Sequence, residues 1–453
     1  MEMYKPAQIS TLNFVQKIVF HFFYLEKFPF YIAKRCKIIY NRRVCSRKAC
    51  RDISTGRQYY FCRPHPAFFA GAAPASIITQ KSKRNNRTHR IFFSGSAFRD
   101  LCRRSLPPVR PVNGGIFGMG IHVLGTGSYT PEFQVTNDDM AKIVETNDEW
   151  IRTRTGIGTR HISDGEPTWY MGVQAAKRAI EAAGIDPAEI GLLIDTTITP
   201  EYCTPSMSCI IQGKIGAVNA ACFDLNAACS GFVYAMDTAH RFLKTDSSIR
   251  YALVIANESL SKITNYSDRS SCILFGDGAA AALIEYKEDA LYTSHLGADG
   301  TGAKYLYAHS ALPQSPFVKP ERQAEYDDGM GPGPEGWEHT MLQDGREVYK
   351  FATHALAKAA TMAAEKIGFD LNDLDKIVPH QANMRIIETA MKFLKQPMEK
   401  VITNIEYHGN TSSASIPIAF DEAIRAGKIQ RGEKVCLVGF GAGLTYAALI
   451  MEY

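Results

Sequence analysis

The sequence predicts an α/β protein whose main body consists of two copies of one unit and follows a basic N-terminal segment. From residue 119 onward, short apolar runs alternate with amphipathic helical patterns, as they do in α/β proteins. A shift of 184 residues brings like residues together, for example Gly184 and Gly368, which indicates an internal repeat. Basic residues are concentrated in 1–118, so this segment has a different role or origin from the rest.

Length, charge and cysteine content limit the possible classes of protein. The 453-residue chain is long enough for two or three domains. Residues 1–118 hold 22 Lys and Arg against 4 Asp and Glu, and the remainder holds 29 against 42. Five Cys precede residue 119 and six follow it, with no CxxC pair. We therefore expect neither a disulfide framework nor a structural zinc site in the main body. An intracellular, cytoplasmic setting is expected instead.

Residues 1–118 show no sustained helical or strand period, and three interpretations of them remain open. An Arg-rich, acid-poor segment is typical of an organelle transit peptide, which would mean a plastid location. A basic tail that binds nucleic acid or membrane is the second interpretation. The third, which we favour, is that the segment is not native. The codons of Gly114 and Gly115 form a purine-rich run roughly nine nucleotides before the Met119 codon, as in a bacterial ribosome-binding site.

We predict neither a membrane span nor a metal site in this segment. The apolar stretch 14–33 is interrupted by charged residues, so no membrane span is expected. Cys45, Cys50, Cys62 and His65 form only a loose metal-ligand pattern, and their spacing makes a metal site a poor prediction.

The main body is predicted to form strands that are apolar on both faces, which indicates sheets covered on both sides. The repeat divides this body into halves at 119–292 and 293–453, with the active site where they meet. Between them, 309–341 is rich in Pro and Gly and predicts an insertion or linker. The predicted strands are 121–124, 192–198, 221–225, 252–256, 281–284, 377–379, 435–438 and 447–450.

A candidate nucleophile lies in the segment 221–236, which predicts a strand, a sharp turn and a helix. Apolar residues from Phe232 to Leu243 recur on one helical face, so Cys229 lies at or just before the helix N-terminus. The positive end of the helix dipole is expected to lower the pKa of the Cys229 thiol. A free Cys is more often a buried packing residue. Cys229 becomes a catalytic candidate only because the second half supplies matching polar residues.

Those residues are His380 and Asn410. His380 follows the predicted strand 377–379, and Asn410 precedes a helix. Taken singly, the first would more often be a core histidine and the second a turn residue. The repeat places both, with Cys229, at the carboxyl ends of related strands, where α/β sheets bind ligands. A thiolate, an imidazole and an amide suit acyl transfer to sulfur and stabilisation of an oxyanion or enolate.

An ordered set of motifs resembles the thiolase-like condensing enzymes, and specifically β-ketoacyl-[acyl-carrier-protein] synthase III. The resemblance covers 119–453 and excludes 1–118. It implies a thiolase-like fold, with two pseudo-symmetric α/β halves in five layers, and a homodimer. It also implies decarboxylative condensation of acyl-CoA with malonyl-acyl carrier protein, with no metal and no cofactor besides the coenzyme A thioester substrate. The motifs are 125–129, 148–157, 227–231, 275–278, 379–383, 409–412 and 439–443.

The resemblance assigns a role to each residue of the candidate centre. Cys229 matches the nucleophile that takes the acyl group from acyl-CoA. His380 and Asn410 match the pair that stabilises the enolate oxygen formed when the malonyl thioester loses carbon dioxide. The backbone N–H groups of Cys229 and Gly443 match an oxyanion hole, which small residues permit because the backbone comes close.

The same resemblance assigns supporting residues. Phe275 matches the aromatic residue beside the nucleophile, and Asn383 matches a residue near the malonyl site. Thr204 stands where several members have Phe, so it is expected to line the acyl pocket and leaves the primer length open. Ala442 replaces a common Gly, which is expected to be tolerated.

Binding residues for the two larger substrates complete the expectation. Trp150, Arg154 and Arg269 match positions that hold coenzyme A, since an aromatic face and two cations suit a nucleotide. Without the resemblance, the preferred interpretation would be that Trp150 is a core residue and that Arg154 and Arg269 are solvated surface residues. A basic patch is expected to meet the acidic carrier protein, and a solvated helix face is the alternative for each member. Its residues are Lys350, Arg385, Lys392 and Lys395.

Other functions remain open from the sequence alone. A related enzyme of a specialised polyketide or alkylquinolone pathway is the nearest alternative. A non-catalytic condensing-fold protein or a basic-tailed nucleic-acid binder is the other, and the presence of Cys229, His380 and Asn410 together argues against it.

Overall fold

The computed structural model describes residues 120–309, 317, 330 and 339–453, together with the backbone of four short segments within 47–93. The chain divides into two compact units, Met1–Asn113 and Gly114–Tyr453. The predicted boundary at 118/119, Cys45, His65 and most of 309–341 lie outside the described residues.

The described part of the first unit is a small antiparallel sheet. Its strands are β1 (Arg47–Arg51), β2 (Gln58–Cys62), β3 (Ser76–Lys81) and β4 (Thr88–Phe93), paired in that order. The sequence had shown no strand period here, so these strands are a correction. Runs such as Gln58–Cys62 are rich in aromatic residues, which favour strands. They are too short and too uniform for an alternating pattern to stand out.

The second unit contains two larger sheets. The strands are β5 (Gly120–Tyr129), β6 (Gln134–Thr136), β7 (Thr159–His161), β8 (Ile190–Thr196), β9 (Ala221–Leu225), β10 (Tyr251–Ser259), β11 (Asp277–Lys287), β12 (Tyr292–Ala298), β13 (Leu306–Ala308), β14 (Met341–Gln343), β15 (Lys376–Pro379), β16 (Lys434–Gly441) and β17 (Thr445–Glu452). The first sheet has the order β5-β11-β10-β8-β9 and the second the order β12-β17-β16-β15. β6 with β7 and β13 with β14 form two-stranded ribbons.

The helices cover both sheets. They are α1 (Asn137–Met140), α2 (Asp148–Thr155), α3 (Thr168–Ala183), α4 (Met207–Ile215), α5 (Gly231–Thr245), α6 (Arg269–Cys272), α7 (Gly345–Glu365), α8 (Met384–Leu394), α9 (Ile405–His408) and α10 (Ser415–Arg425). Within the described part of the chain, none of them has the combined length and apolar character that a membrane crossing requires.

Three apolar cores show how the layers stack. α3 and α4 pack on the outer face of the first sheet, and α7 and α8 on the outer face of the second. α5 and α10 lie between the sheets, where Phe232 and Phe420 share one core with residues of both. The order is helix, sheet, helix, sheet, helix, so the predicted five-layered thiolase-like fold is confirmed.

Burial explains why these sequences form these elements. Every residue of β10 is buried, which matches its apolar pattern on both faces. On α5, Phe232, Met236 and Leu243 lie on the buried face, as predicted. The eight predicted strands all overlap observed ones. β12 was missed because Thr293, Ser294 and His295 interrupt its apolar pattern.

The internal repeat is visible in the backbone. Strand pairing in one sheet mirrors that in the other, and Ile377 pairs with Val401 as Leu193 pairs with Cys222 of β9. Short 3₁₀ turns at Ala228–Ser230 and Ser412–Ala414 lie 184 residues apart. The first residue of each turn has a left-handed φ, 47° at Ala228 and 51° at Ser412.

Two buried carboxylates join the halves. Asp237 of α5 accepts hydrogen bonds from Tyr292 and Ser294 of β12 at 3.0 and 2.5 Å. Asp421, its equivalent on α10, accepts hydrogen bonds from the Thr126 and Ser128 hydroxyls of β5 at 2.7 and 2.6 Å. Each central helix is therefore bonded to the sheet of the other half.

Candidate active site

Cys229 lies in the tight turn that joins β9 to α5. The turn Ala228–Ser230 precedes Gly231, the first residue of the helix. A side chain on Gly231 would place its Cβ 2.0 Å from Thr196 Oγ1, so only Gly fits at this point. The predicted strand, turn and helix around the nucleophile are therefore observed.

The surroundings of the thiol correct one expectation. The Cys229 thiol donates a hydrogen bond to Ser412 Oγ at 3.4 Å. Burial raises the pKa of this thiol to about 12, and the negative charge of Glu258 acts in the same direction. The expected lowering by the helix dipole is wrong, because the dipole contributes only about 0.3–1 kcal/mol and removal of a thiolate from water costs more.

A short segment, 410–415, brings the three candidate residues together. Ser412 contacts the Cys229 sulfur, and the Ser412 backbone N–H donates to Asn410 Oδ1 at 2.9 Å. That bond occupies the Asn410 carbonyl oxygen, so its amide N–H groups remain as donors. Ser415, the last residue of the segment, binds His380. Segment 410–415 therefore connects Cys229, Asn410 and His380.

His380 is fixed at the end of β15. It is 1% exposed, and its backbone N–H donates to the Val438 carbonyl at 2.8 Å. Its Nδ1 lies 2.6 Å from Ser415 Oγ, which also accepts the Gln381 backbone N–H at 3.2 Å. Burial lowers the pKa of His380 to about 3. The imidazole is therefore neutral near pH 7 and acts as a hydrogen-bond donor or acceptor without charge.

Phe275 and the glycine-rich loop approach the same point. Phe275 is buried and pairs through its backbone with Asn410. Gly443 has φ of 135°, which favours Gly. Neither its N–H nor that of Cys229 takes part in the loop and turn hydrogen bonds of the described residues. That these two N–H groups stabilise an oxyanion stays a prediction.

Sequence reasoning missed the importance of Gly441. A Cβ at this position would lie 2.5 Å from the Cys229 backbone nitrogen and 2.9 Å from Ala228 Cβ. The close approach of β16 to the nucleophile turn therefore depends on Gly441. The alternating Gly residues in 439–443 were the signal, but a sequence does not show which of them meets another backbone.

The three candidate coenzyme A residues lie together. Arg154 and Arg269 place their guanidinium carbons 5.8 and 5.0 Å from the Trp150 ring centroid. Trp150 is half-buried, and both Arg residues are exposed. Arg269 also donates to the Glu145 carbonyl at 3.1 Å. An aromatic face flanked by two exposed cations suits a nucleotide with phosphates.

Asn383 links this cluster to the His380 loop. Its Oδ1 accepts the Arg385 backbone N–H at 2.9 Å and so caps α8, and its Nδ2 donates to the Arg154 carbonyl at 3.1 Å. Arg385 Nε donates to the Thr153 carbonyl at 3.1 Å. Asn383 therefore joins α8 to α2, and its expected place near a malonyl site stays a prediction.

The basic patch occupies two packed helices. Lys350 of α7, Arg385 and Lys392 of α8, and Lys395 directly after α8 are all exposed. Tyr349 OH lies 2.9 Å from Thr389 Oγ1, which joins the two helices. Lys350 lies 3.7 Å from Glu347. A surface ion pair of this kind contributes little to the free energy of unfolding.

Thr204 lies on the exposed loop between β8 and α4, with Tyr202 and Cys203, which are also exposed. Within one chain its side chain is open to solvent. Its role in an acyl pocket stays a prediction.

Glu258, at the end of β10, was not predicted from the sequence. It is completely buried and accepts hydrogen bonds from Ser413 Oγ at 2.7 Å and Thr199 Oγ1 at 2.8 Å. Burial raises the pKa of its carboxyl. The only signal was an acidic residue two positions after the apolar run 252–256, which is compatible with an ordinary strand end.

Comparisons with known proteins place the chain in a family. Residues 223–300 match the model of 3-oxoacyl-[acyl-carrier-protein] synthase III, and 364–453 match the model of its C-terminal part. A β-ketoacyl-[acyl-carrier-protein] synthase III of Clostridium acetobutylicum is 46% identical over 334 residues, 74% of this chain and 98% of the relative.

Solved structures agree with that match. The synthase III of Aquifex aeolicus VF5 is 38% identical, with a TM-score of 0.66 over 74% of this chain and all of that one. The priming β-ketosynthase of the R1128 polyketide pathway is 36% identical, with a TM-score of 0.65 over 76% of this chain and 98% of that one. These matches confirm the resemblance seen in the motifs. The chain is an acyltransferase and belongs to the β-ketoacyl-[acyl-carrier-protein] synthase III family of thiolase-like condensing enzymes.

Proposed function

We propose that the protein condenses a short acyl-CoA primer with malonyl-acyl carrier protein, with loss of carbon dioxide, and so initiates fatty-acid synthesis. The observation that carries this proposal is the convergence of three groups on segment 410–415. This segment contacts the Cys229 sulfur, contains Asn410 and holds His380. The arrangement supplies a nucleophile and two neutral donors at one place.

In the first half-reaction, Cys229 attacks the thioester carbonyl carbon of acyl-CoA, and coenzyme A leaves. The negative charge on the carbonyl oxygen is stabilised by the backbone N–H groups of Cys229 and Gly443. Trp150, Arg154 and Arg269 hold the nucleotide end of coenzyme A. Coenzyme A is here part of the substrate, and we propose no separate cofactor or metal.

In the second half-reaction, malonyl thioester loses carbon dioxide, and His380 and Asn410 donate hydrogen bonds to the enolate oxygen. Ser415 supports this role for His380: when its hydroxyl donates to Nδ1, the imidazole carries its proton on Nε2. The Nε2–H then points away from Ser415 and is available to the substrate. The enolate carbon attacks the acyl carbon, and the Cys229 sulfur leaves.

Two partners follow from this chemistry. The exposed residues Lys350, Arg385, Lys392 and Lys395 form a positive surface for the acidic carrier protein, since complementary charge favours such encounters. Arg385 also contacts α2, which carries the coenzyme A candidates Trp150 and Arg154, so this surface adjoins the proposed coenzyme A site.

We further propose a homodimer. β9 is the edge strand of the first sheet and is only partly covered in the single chain, with Ala221 and Asp224 exposed. An uncovered edge strand is normally paired or protected. A second copy on this edge would also cover the neighbouring loop with Thr204, so the end of the acyl pocket would be completed by the partner subunit.

A second candidate function is priming of a polyketide rather than a fatty acid. The match to the R1128 priming β-ketosynthase, at 36% identity, favours it. The two functions share both half-reactions and differ in primer and carrier protein. The two functions can be distinguished by comparing the condensation activity with a carrier protein of fatty-acid synthesis and with one of polyketide synthesis.

The experiment measures the two half-reactions separately. Acyl-CoA is expected to add one acyl mass to Cys229, and Cys229→Ala abolishes both labelling and condensation. His380→Ala and Asn410→Ala are expected to keep labelling and to lose malonyl decarboxylation by ~10²–10³, the usual effect of one lost donor. Equal loss of both half-reactions in the His380 or Asn410 variants contradicts the assigned roles.

A further inference from the structure

Glu422 is a carboxylate of α10 that the proposed chemistry has not used. Its Oε1 lies 2.7 Å from Nε2 of His408, and its Oε2 accepts a hydrogen bond from Asn404 Nδ2 at 2.9 Å. Burial alone would raise the pKa of this carboxyl, but the hydrogen bond and charge of His408 and the hydrogen bond from Asn404 hold it below its usual value. The group is therefore ionised near pH 7 and accepts from both partners.

The two partners lie at opposite ends of one short helix. Asn404 directly precedes α9, and His408 is the last of its four residues. A helix this short is not stable through its own hydrogen bonds and depends on tertiary contacts. By binding both ends, Glu422 holds α9 against α10.

The end of α9 leads to one of the two candidate donors, because a single residue separates His408 from Asn410. The backbone of Asn410 is bonded on its other side to the segment around Phe275. Its N–H donates to the Leu274 carbonyl at 2.8 Å, and its carbonyl accepts the Gly276 N–H at 3.0 Å. The direction from which the chain reaches Asn410 is set by α9, and so by the contact of His408 with the carboxylate.

The start of α9 is joined to the second donor. The Asn404 backbone N–H donates to Gln381 Oε1 at 3.1 Å, and Gln381 is the residue after His380. The Gln381 backbone N–H in turn donates to Ser415 Oγ, the hydroxyl that lies against His380 Nδ1. Ser415 is the first residue of α10, the helix that also carries Glu422. Both donors are therefore held by contacts with the same helix.

His408 is part of this contact and is not open to a substrate. It is 8% exposed, and its ring stacks on that of His161 with centroids 5.3 Å apart. Burial lowers the pKa of His161, so the stacked ring is neutral near pH 7 and does not compete for the carboxylate. Among the described residues, His408 Nδ1 has no hydrogen-bond partner, so the bond of Nε2 to Glu422 fixes the orientation of the ring.

We propose that Glu422 is a positioning residue for the decarboxylation step, and that it sets the Asn410 amide relative to the His380 imidazole by holding the two ends of α9. The inference rests on the proposed function, because it concerns the two donors to the malonyl enolate. Glu422 does not touch the reacting atoms, and no proton moves through it. Its contribution is to hold two donors where a single oxygen can accept from both.

The test measures malonyl decarboxylation and Cys229 acylation in Glu422→Leu, which has a similar size and makes neither hydrogen bond. A misplacement of about 1 Å can cost about a hundredfold in rate, so we expect decarboxylation to slow by about tenfold to a hundredfold. The loss should fall on kcat, with little change in KM for malonyl-acyl carrier protein. Acylation should stay near the wild-type rate, because the hydrogen bonds of Glu422 go to α9 and not to the nucleophile turn. Unchanged decarboxylation contradicts the proposal.

Glu422→Gln is the conservative variant. Its amide oxygen can accept from His408, and its N–H can donate to Asn404 once the Asn404 amide turns over. If hydrogen bonds rather than charge hold α9, this variant recovers most of the lost rate. A Gln variant as slow as the Leu variant would indicate a purely electrostatic effect and would overturn the proposal.

Glu285→Leu is the matched control. Glu285 also pairs with an imidazole, with Oε1 3.1 Å from His122 Nδ1, but it lies towards the end of β11 that is remote from Phe275. Its loss removes a contact of the same kind without reaching α9, so both half-reactions should keep their wild-type rates. Equal slowing of decarboxylation in both Leu variants, or equal slowing of acylation and decarboxylation in Glu422→Leu, means a general loss of structure and overturns the proposal.

His408→Phe keeps the test decisive if Glu422→Leu does not fold. The Phe ring can still stack on His161 but has no N–H, so decarboxylation should slow while acylation stays. Combined with Glu422→Leu, it should cost no more than the larger single loss, because both substitutions break the same contact. Unchanged decarboxylation in His408→Phe, or losses that add in the double variant, overturns the proposal. A wild type that acylates Cys229 but decarboxylates no malonyl thioester would instead refute the proposed function.

Discussion

The hydroxyl oxygen of Ser415 lies 2.6 Å from Nδ1 of His380, and both residues are buried. The ring nitrogen that a partner engages decides where a neutral imidazole carries its proton. When the Ser415 hydroxyl donates to Nδ1, the imidazole carries its proton on Nε2, which is the form that the proposed decarboxylation uses.

Ser415→Ala is expected to slow malonyl decarboxylation by about tenfold to a hundredfold, because the Nε2–H form is no longer favoured and a buried nitrogen loses its partner. Acylation of Cys229 should remain. Half-reaction assays and ¹⁵N chemical shifts of the imidazole measure the effect. Ser415→Thr keeps the hydroxyl and is the control; a Thr variant as slow as the Ala variant would indicate a packing effect instead.

The second prediction concerns pH. The pKa of His380 falls from 6.5 in an unfolded chain to about 3 in the folded one. The imidazole is then neutral in both states above pH 6.5, and the stability due to its neutral form is lost only as pH falls from 6.5 towards 3. Malonyl decarboxylation should therefore show no change centred near pH 6.5. A rate profile from pH 5 to 8 tests this, and an acid limb with that midpoint would contradict it.

Gly441→Ala is expected to damage both stability and acylation. Its Cβ would lie 2.5 Å from the Cys229 nitrogen, so the nucleophile turn must shift. Overpacking of this kind typically costs ~1–3 kcal/mol. Gly213→Ala is the control, since nothing lies within 4 Å of its Cβ and an Ala suits its helix. Thermal unfolding and Cys229 acylation should distinguish the two variants. Equal thermal midpoints and acylation rates would contradict the role assigned to Gly441.

Thr204 leads to a prediction about primer length. It is smaller than the Phe found there in several family members, and each additional buried CH₂ contributes ~0.8 kcal/mol. Butyryl-CoA or a branched acyl-CoA of four or five carbons should be used at least as well as acetyl-CoA. Thr204→Phe should restore the preference for acetyl-CoA. The measurement is kcat/KM across primers of two to eight carbons, and a wild type confined to acetyl-CoA would end this idea.

A chain that starts at Met119 is expected to fold and to match the activity of the full chain. Every candidate site residue lies in the unit Gly114–Tyr453, and the Clostridium acetobutylicum relative aligns over 334 residues, 98% of its length. Equal thermal midpoints and condensation rates are the expected result. An insoluble or inactive shorter chain would show that the basic segment belongs to the enzyme.

The sequence predicted the parts of the site that depend on order along the chain. The 184-residue repeat placed Cys229, His380 and Asn410 at equivalent strand ends, because equivalent strands carry equivalent turns. The thiol pKa was predicted in the wrong direction, since a motif shows the helix terminus but not the burial around it. Glu258 and Gly441 were missed for a related reason: their roles depend on contacts with segments distant in sequence.

Asp237 and Asp421 each accept hydrogen bonds from the half of the repeat to which they do not belong. Each central helix completes its buried polar contacts with a strand from the opposite half. An excised half would keep only the Arg241 or Arg425 partner on its own helix and would lose both hydroxyl donors to its carboxylate, and a carboxylate that loses hydrogen bonds is costly to bury. The two copies repeat one pattern, but they form one compact unit, and the catalytic centre takes Cys229 from one copy and His380 and Asn410 from the other.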